Sequence, residues 1–194
     1  MPRQVSRRRF AAVRLREIHR RLGISEEHPR VRLTRCYEEP PELVEVGNDV
    51  FGRLQRMAPE AAASWRSMVA AAAADGVELQ LVSAFRSVER QAELIAAKVE
   101  GGRDLEEVLT ANAPPGHSEH HTGCAVDVTT PGCAVLEEEF EDTEAFRWLA
   151  AHAGRFGFAL SYPRGNREGY VYEPWHWSYR SSHAPRQPEV RETT

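Results

Sequence analysis

The stretch "GHSEHHTGCAVDV", residues 116–128, joins a histidine-rich loop to a short apolar strand, and the interpretation of the fold starts there. Three of the chain's eight histidines lie within five positions, and one acid, Asp127, follows between two valines. Alternate residues of a strand share a face, so Gly123 and Ala125 lie on the face of Asp127 and the valines on the other. The Asp127 face therefore has room for an ion or a substrate, and the valine face is expected in the core.

Three helices are predicted around this strand. Residues 59–74 begin with a proline, which suits the first turn of a helix, and are rich in alanine. Ser87 is expected to cap a second helix that ends at Gly101. A third helix is predicted over residues 143–155, where apolar side chains recur at helical spacing.

Four short strands are predicted from apolar alternation and aromatic content, at residues 77–85, 124–128, 158–162 and 170–179. The last two are separated by the turn "PRGNREG" and suggest a hairpin. Residues 31–41 are expected to be irregular or extended. Helices that come early and between short strands predict an α+β fold, with a small, mainly antiparallel sheet and helices packed around it.

Charge divides the chain into a basic leader and an acidic body. Residues 1–35 contain eleven arginines against three glutamates, whereas the whole chain has a net charge of -4. We expect a basic N-terminal extension at 1–34, one folded domain at 35–182 and a flexible tail at 183–194. The leader could contact anionic lipid, a nucleic acid or the acidic surface of its own domain, and we favour the last. Deleting residues 1–30 is expected to leave the domain's activity intact, because no proposed ligand or base lies there.

Neither a targeting segment nor a disulfide framework is predicted. The stretch "SRRRF", residues 6–10, resembles the start of a twin-arginine export signal, but no uncharged apolar run follows it. No stretch approaches the roughly 18 apolar residues of a membrane-spanning helix. Cys36, Cys124 and Cys133 are an odd number without metal-site spacing, which fits a reducing compartment. The chain as written is expected in the cytoplasm, or in the periplasm or outside the cell if the true start lies upstream.

The opening stretch can supply two protein ligands for a metal ion. Its loop can fold His120 back towards Asp127, which brings one imidazole and one carboxylate together. His121 is an alternative ligand, because neighbouring histidines are hard to distinguish without geometry. Zinc in a hydrolytic site takes three protein ligands and keeps one position open, so a third ligand must come from elsewhere in the chain.

The segment "EPWHW", residues 173–177, is the best source of that ligand. Pro174 cannot donate to a sheet ladder, so it belongs at an edge or in a bulge. A bulge there is expected to turn Glu173 and His176 towards the same side. His176 then completes a His-Asp-His zinc site, and Glu173 stands over the open position as a base for hydrolysis.

These residues carry a family resemblance. The pattern Ser118-x-His120-x-x-Gly123-x-Ala125-x-Asp127, followed by Glu173-x-x-His176, resembles zinc D-alanyl-D-alanine carboxypeptidases and dipeptidases of the VanY and VanX type. That family shares its fold with hedgehog signalling domains, and the resemblance extends over residues 35–179. It implies that zinc is bound by His120, Asp127 and His176, and that the folded domain is a zinc carboxypeptidase domain.

The resemblance also implies the remaining roles. Glu173 is the implied catalytic base and Arg86 assists the substrate, while Ser118 and Gln91 match positions that touch it. Arg86 also precedes a predicted helix N-terminus, where an anion is favoured, so it could hold the terminal carboxylate of a peptide or the developing oxyanion.

The implied activity is release of a C-terminal D-amino acid from peptidoglycan stem peptides or their precursors, with D,D- or L,D-specificity left open. A murein endopeptidase or lysin with the same zinc site is the neighbouring hypothesis. A non-catalytic binding module stabilised by zinc is the third, although it would have no need of a base such as Glu173. The oligomeric state is not predicted.

Overall fold

A computed structural model describes residues 2–180 of the chain, with side chains from residue 12 onward. The predicted tail at 183–194 lies outside the described residues. The helices are α1 (Pro2–Leu22), α2 (Pro29–Leu33), α3 (Pro59–Ala74), α4 (Val88–Glu100), α5 (Leu105–Ala111) and α6 (Glu144–His152). Short 3-10 helices cover Glu119–Thr122, Glu138–Asp142 and Ala153–Phe156. The strands are β1 (Val44–Asn48), β2 (Leu54–Met57), β3 (Gln80–Ser83), β4 (Ala125–Thr129), β5 (Phe158–Leu160) and β6 (His176–Tyr179).

The main sheet has four strands in the order β3-β4-β6-β5, and every neighbouring pair is antiparallel. β4, which carries Asp127, is therefore a central strand. In its register Asp127 lies opposite His176 on β6 and opposite Ser83 on β3. β1 and β2 form a separate antiparallel hairpin. The α+β prediction with a small antiparallel sheet is confirmed, as is the pairing of the last two strands.

The core lies on the valine face of β4. Val126 and Val128 are fully buried and pack in one cluster with side chains of α3, α6 and β5. The other members of the cluster that come from those elements include Trp65, Met68, Leu149 and Phe158. Burial of this face leaves Asp127 on the opposite face, as the alternation of the strand predicts.

Local sequence signals explain the helix boundaries. Ser87 caps α4 by accepting a hydrogen bond from the backbone N–H of Arg90. Thr143 caps α6 in the same way, through the N–H of Phe146. The helix predicted over 143–155 is therefore confirmed, as α6 followed by a 3-10 turn.

The predicted strand at 170–179 is too long. Regular pairing covers only His176–Tyr179. Pro174 has no N–H for a ladder, and the chain turns there, with the N–H of His176 bonded to the carbonyl of Glu173. The expected bulge is thus a turn ahead of the strand. α2, α5 and the β1–β2 hairpin were not predicted, because their sequence patterns are short.

The basic leader packs on its own domain. Arg14 forms a 2.9 Å ion pair with Glu89 at the start of α4. Ile24, just after α1, is buried with Ile95, Val108 and Leu109 in a second small core. The favoured hypothesis for the leader, contact with its own domain, agrees with these contacts. Across residues 2–180, no helix combines the length and apolar character needed to cross a membrane.

Gly123 links the histidine loop to β4 in a conformation that favours glycine. Its φ is 66°, in the left-handed region. The N–H of Ala58, which precedes α3, donates a 2.9 Å hydrogen bond to the carbonyl of Gly123. A Cβ atom at this position would lie 2.8 Å from that same backbone nitrogen. The turn between the loop and the strand therefore packs directly against the start of α3.

Candidate active site

His120, Asp127 and His176 converge at one buried point. Each offers a ligand atom that lies within 4.8 Å of the other two. The β4–β6 register places Asp127 beside His176, and the 3-10 turn after Ser118 brings His120 over the strand. Asp127 is 3.2 Å from Nε2 of His120 and 3.0 Å from Nδ1 of His176. The three ligands predicted from the sequence are thus brought together.

The ring of His120 is fixed by a backbone contact. Its Nδ1 lies 2.6 Å from the carbonyl oxygen of Ala84, which can only accept, so Nδ1 carries the proton. Burial lowers the pKa of His120, which keeps the imidazole neutral. Nε2 therefore presents a lone pair towards Asp127.

His176 is held in the opposite tautomer. Its Nε2 lies 3.1 Å from the carboxylate of Glu119, which leaves Nδ1 facing Asp127. Burial alone would lower the pKa of His176, but the hydrogen bonds to Asp127 and Glu119 outweigh it and raise the pKa to about 10. Without a cation, His176 therefore holds a second proton between itself and Asp127.

Glu119 is a site residue that the sequence analysis missed. It is largely buried and also accepts a 2.5 Å hydrogen bond from the hydroxyl of Ser161. Burial would raise its pKa, but the hydrogen bond from His176 lowers it below the usual value. Histidines that bind metals usually donate their other N–H to such a carboxylate. The sequence signal that could have identified Glu119 was its position next to His120 in the motif.

His121 is excluded as the alternative ligand by its contacts. Its Nε2 accepts a 3.0 Å hydrogen bond from the N–H of Gly116, and its Nδ1 lies 2.6 Å from the carbonyl of Arg86. Both ring nitrogens are therefore engaged by backbone groups. Burial lowers the pKa of His121 to about 4, so the ring is neutral. It joins the histidine loop to the start of α4.

Glu173 stands at the rim of the His-Asp-His group. Its carboxylate lies 3.9 Å from Nδ1 of His176 and is 11% exposed. Burial raises its pKa to about 7, against the opposing charge of His176. A carboxylate with a pKa near neutrality is suited to take up and return a proton.

Arg86 and Gln91 carry buried polar atoms that have no partner among residues 12–180. Within the described part of the chain, Nε of Arg86 and Oε1 of Gln91 are buried without a hydrogen-bond partner. Burial lowers the pKa of Arg86, and the carboxylates of Asp127 and Glu173 oppose that shift. Gln91 donates through Nε2 to the carbonyl of Ala113, which leaves its oxygen free to accept. A donor and an acceptor are thus available to a polar ligand.

Ser118 lies at the beginning of the turn that carries His120. It is 4% exposed, and its side chain makes no capping hydrogen bond. The predicted substrate residues come from two parts of the chain. Ser118 comes from the histidine loop, and Arg86 and Gln91 come from the start of α4 and its first turns.

The donor set fits a divalent cation such as zinc. In the tautomers that Ala84 and Glu119 assign, Nε2 of His120 and Nδ1 of His176 each present a lone pair to an oxygen of Asp127 once the second proton on His176 is displaced. Facing acceptors repel each other unless a proton or a cation lies between them. Zinc binds such ligands at about 2.0–2.2 Å, and the three ligand atoms, which lie within 4.8 Å of one another, are close enough to converge on one ion. Two imidazoles and a carboxylate, with Glu173 outside the set, match a hydrolytic site.

Comparison with known proteins identifies the family. The family model VanY, described as D-alanyl-D-alanine carboxypeptidase, matches residues 54–182, more than half of the chain. The chain belongs to this family. It is 30% identical over 169 residues to the bifunctional D-Ala-D-Ala dipeptidase and carboxypeptidase VanXYC of Enterococcus gallinarum, with 80% of each chain covered. It is 37% identical over 125 residues to putative carboxypeptidase YodJ of Bacillus subtilis, which covers 62% of this chain and 45% of that protein.

Solved structures of two peptidases share the fold. The L,D-carboxypeptidase LdcB superposes with a TM-score of 0.67 at 31% identity, covering 79% of this chain and 78% of that one. A mutant of the D,D-pentapeptidase VanY in complex with Zn(II) gives a TM-score of 0.57 at 29% identity, covering 75% and 84%. The chain spans less than half the length of YodJ.

Proposed function

We propose that this VanY-family protein is a zinc-dependent D,D- or L,D-carboxypeptidase, which releases a C-terminal D-amino acid from peptidoglycan stem peptides or their precursors. The observation that carries the proposal is the buried His120-Asp127-His176 group with Glu173 beside it. The Zn(II) complex of a VanY relative supports the choice of metal.

His120, through Nε2, Asp127 and His176, through Nδ1, would hold the zinc ion. When bound, zinc supplies Lewis acidity towards water and towards the carbonyl of the bond to be cut. The protein supports this arrangement with partners outside the ligand set. Ala84 fixes the tautomer of His120, and Glu119 fixes that of His176.

Glu173 performs the proton transfers. Its carboxylate accepts a proton from the attacking water as the C–O bond forms at the scissile carbonyl. It then returns that proton to the amine nitrogen as the C–N bond breaks. One group can do both because a carboxylate that has accepted a proton is itself the acid that returns it.

Arg86, Gln91 and Ser118 form the proposed substrate contacts. The unpaired Nε of Arg86 can donate to an anionic oxygen, either the oxyanion that develops at the carbonyl or the terminal carboxylate of the peptide. The free oxygen of Gln91 can accept from a peptide N–H. Ser118 can do either, since a hydroxyl both donates and accepts.

The test is hydrolysis by the zinc-loaded protein. It would be incubated with D-Ala-D-Ala, a muramyl pentapeptide and a muramyl tetrapeptide, and the products identified by mass. Release of D-alanine from the pentapeptide or the dipeptide indicates D,D-activity, and release from the tetrapeptide indicates L,D-activity. Cleavage of cross-linked murein alone would favour an endopeptidase, and no cleavage of any substrate would favour a binding module. The cytoplasmic location stays a prediction.

A further inference from the structure

We propose that the N-terminal segment, residues 12–37, supports the catalytic site. His19 positions the loop at residues 113–118, and Arg30 positions the segment at residues 166–173, which leads to Glu173. The inference rests on the proposed function for its effect on turnover. The segment lies entirely ahead of residues 54–182, the part that the family model matches. Its role is inferred from contacts made within this chain, and it replaces the expectation that residues 1–30 can be deleted without loss of activity.

The first contact is between α1 and the loop at residues 113–118, which leads into the turn that carries His120. Nε2 of His19 lies 2.7 Å from the carbonyl oxygen of Pro115, so it donates the hydrogen bond. The rings of His19 and His117 are stacked with centroids 5.9 Å apart. Leu15 packs against Gly116, where an added Cβ would lie 2.7 Å from its Cδ2. His19 is 2% exposed, although it lies in an arginine-rich helix.

Residues that follow α1 hold the same loop from another side. The N–H of Tyr37 donates a 2.7 Å hydrogen bond to the carbonyl of Gly116. The hydroxyl of Thr34 lies 3.1 Å from Nδ1 of His117. The loop therefore has its carbonyls and its imidazole tied to the N-terminal segment.

This loop reaches the reacting groups through short links. It leads directly into Ser118 and His120, which the turn at 119–122 places over β4. The N–H of Gly116 also donates to His121, whose other nitrogen bonds the carbonyl of Arg86. A shift of the loop would thus move a metal ligand and the substrate arginine together.

The second contact is between α2 and the segment that leads to Glu173. The guanidinium of Arg30 donates to the carbonyls of Glu168 and Gly169, at 3.2 and 2.7 Å. It also lies 4.1 Å from the centre of the Tyr170 ring. Arg30 therefore contacts both the backbone and an aromatic side chain of this segment.

Tyr170 transmits this contact to the metal ligand. Its ring packs on Tyr162 with centroids 5.0 Å apart, and Tyr162 packs on His176 at 4.8 Å. The carbonyl of Tyr162 also accepts a hydrogen bond from the N–H of Glu173. A continuous series of contacts therefore runs from Arg30 to His176 and to the base.

Neither His19 nor Arg30 touches a proposed ligand or reacting group. Their expected effect is on the geometry of the cleft, where displacements of about 1 Å can cost up to 10²-fold in rate. We expect kcat/KM to fall about tenfold in His19→Ala and in Arg30→Ala, with most of the loss in kcat. Zinc content should stay at the parent level because the ligands are intact.

The experiment uses the full-length zinc-loaded protein and five variants, which are His19→Ala, Arg30→Ala, His19→Gln and two controls. Arg20→Ala is the control for α1, because Arg20 is exposed and pairs with Glu17 on the same helix. Arg32→Ala is the control for α2, because Arg32 is exposed and pairs with Glu27 of the same segment. His19→Gln keeps an N–H donor near the position of Nε2 and should recover most of the activity. Zinc content and melting temperature show that each variant is folded.

Hydrogen exchange provides a readout that does not depend on hydrolysis. Amides at 113–118 should exchange faster in His19→Ala, and those at 166–173 faster in Arg30→Ala, with the controls like the parent. Unchanged exchange in these loops, or equal losses of kcat/KM in the controls, would overturn the inference. If the parent hydrolyses no D-amino-acid peptide, the proposed function fails, while exchange still tests the two contacts.

Discussion

The carboxylate of Glu119 lies 3.1 Å from Nε2 of His176, the ring nitrogen that does not face Asp127. Because a carboxylate accepts only, this contact assigns the Nε2 proton and leaves Nδ1 for a cation. Ser161 donates to the same carboxylate oxygen and restricts its rotation. The relationship makes Glu119 part of the zinc site although it is not a ligand.

Glu119→Gln is therefore expected to weaken zinc binding by about 10–100-fold, the usual cost of losing such a partner. A neutral amide is a weaker acceptor for the N–H of His176 and does not enforce its tautomer. Competition with a chelator of known affinity measures the change. Glu139→Gln, at an exposed acid of the same charge, is the matched control. Equal zinc affinity in the two variants would remove Glu119 from the site.

The three proposed ligands should each be required for zinc retention. His120→Ala, Asp127→Ala and His176→Ala each leave two protein ligands where a stable catalytic zinc site uses three. After dialysis against a chelator, these variants should hold far less than one zinc per chain, as measured by metal analysis. His152→Ala changes a histidine outside the group and should behave like the parent. Full zinc in any ligand variant would contradict its assignment.

Glu173→Gln should separate catalysis from metal binding. The amide keeps the size of the side chain but cannot accept a proton, so turnover is expected to fall by about 10²–10⁴-fold. Zinc content should not change, since Glu173 lies outside the ligand set. Rate and zinc are measured on one preparation. Loss of zinc would instead make Glu173 a ligand, and an undiminished rate would exclude it as the base.

The raised pKa of Glu173 also predicts a pH dependence of stability in the metal-free protein. Folding raises this pKa from 4.5 to about 7, so the stability contributed by the protonated carboxyl is lost as the pH rises through that interval. Metal-free Glu173→Gln should therefore melt at a higher temperature than the metal-free parent at pH 8. The difference should shrink towards pH 4. A difference in melting temperature that does not change with pH would show that the pKa of Glu173 is not raised by folding.

The three proposed zinc ligands could be chosen from the sequence because strand alternation and motif spacing are local. Asp127 points away from the core since its valine neighbours must be buried, and Glu173 precedes His176 by one turn's length. The expectation that Glu173 and His176 lie on one side assumed a bulge in the strand, whereas the structure has a turn ahead of the strand. Pro174 signals only that the ladder is interrupted.

Glu119 could not be assigned from the sequence because its partners are distant along the chain. Ser161 and His176 reach it only after β5 and β6 pair. Docking of the leader on its own domain was the favoured interpretation, but the residues that make the contacts could not be named from the sequence. They are His19 and Ile24, whose partners lie far along the chain.

Gly123 ties the metal site to the start of α3. A side chain there would collide with backbone at the start of α3, which cannot rotate away as a side chain could. Any substitution must therefore open the angle between the loop of His120 and the strand of Asp127. Random mutagenesis followed by selection for hydrolysis should leave this position invariant, while positions on the outer surface of α3 vary freely.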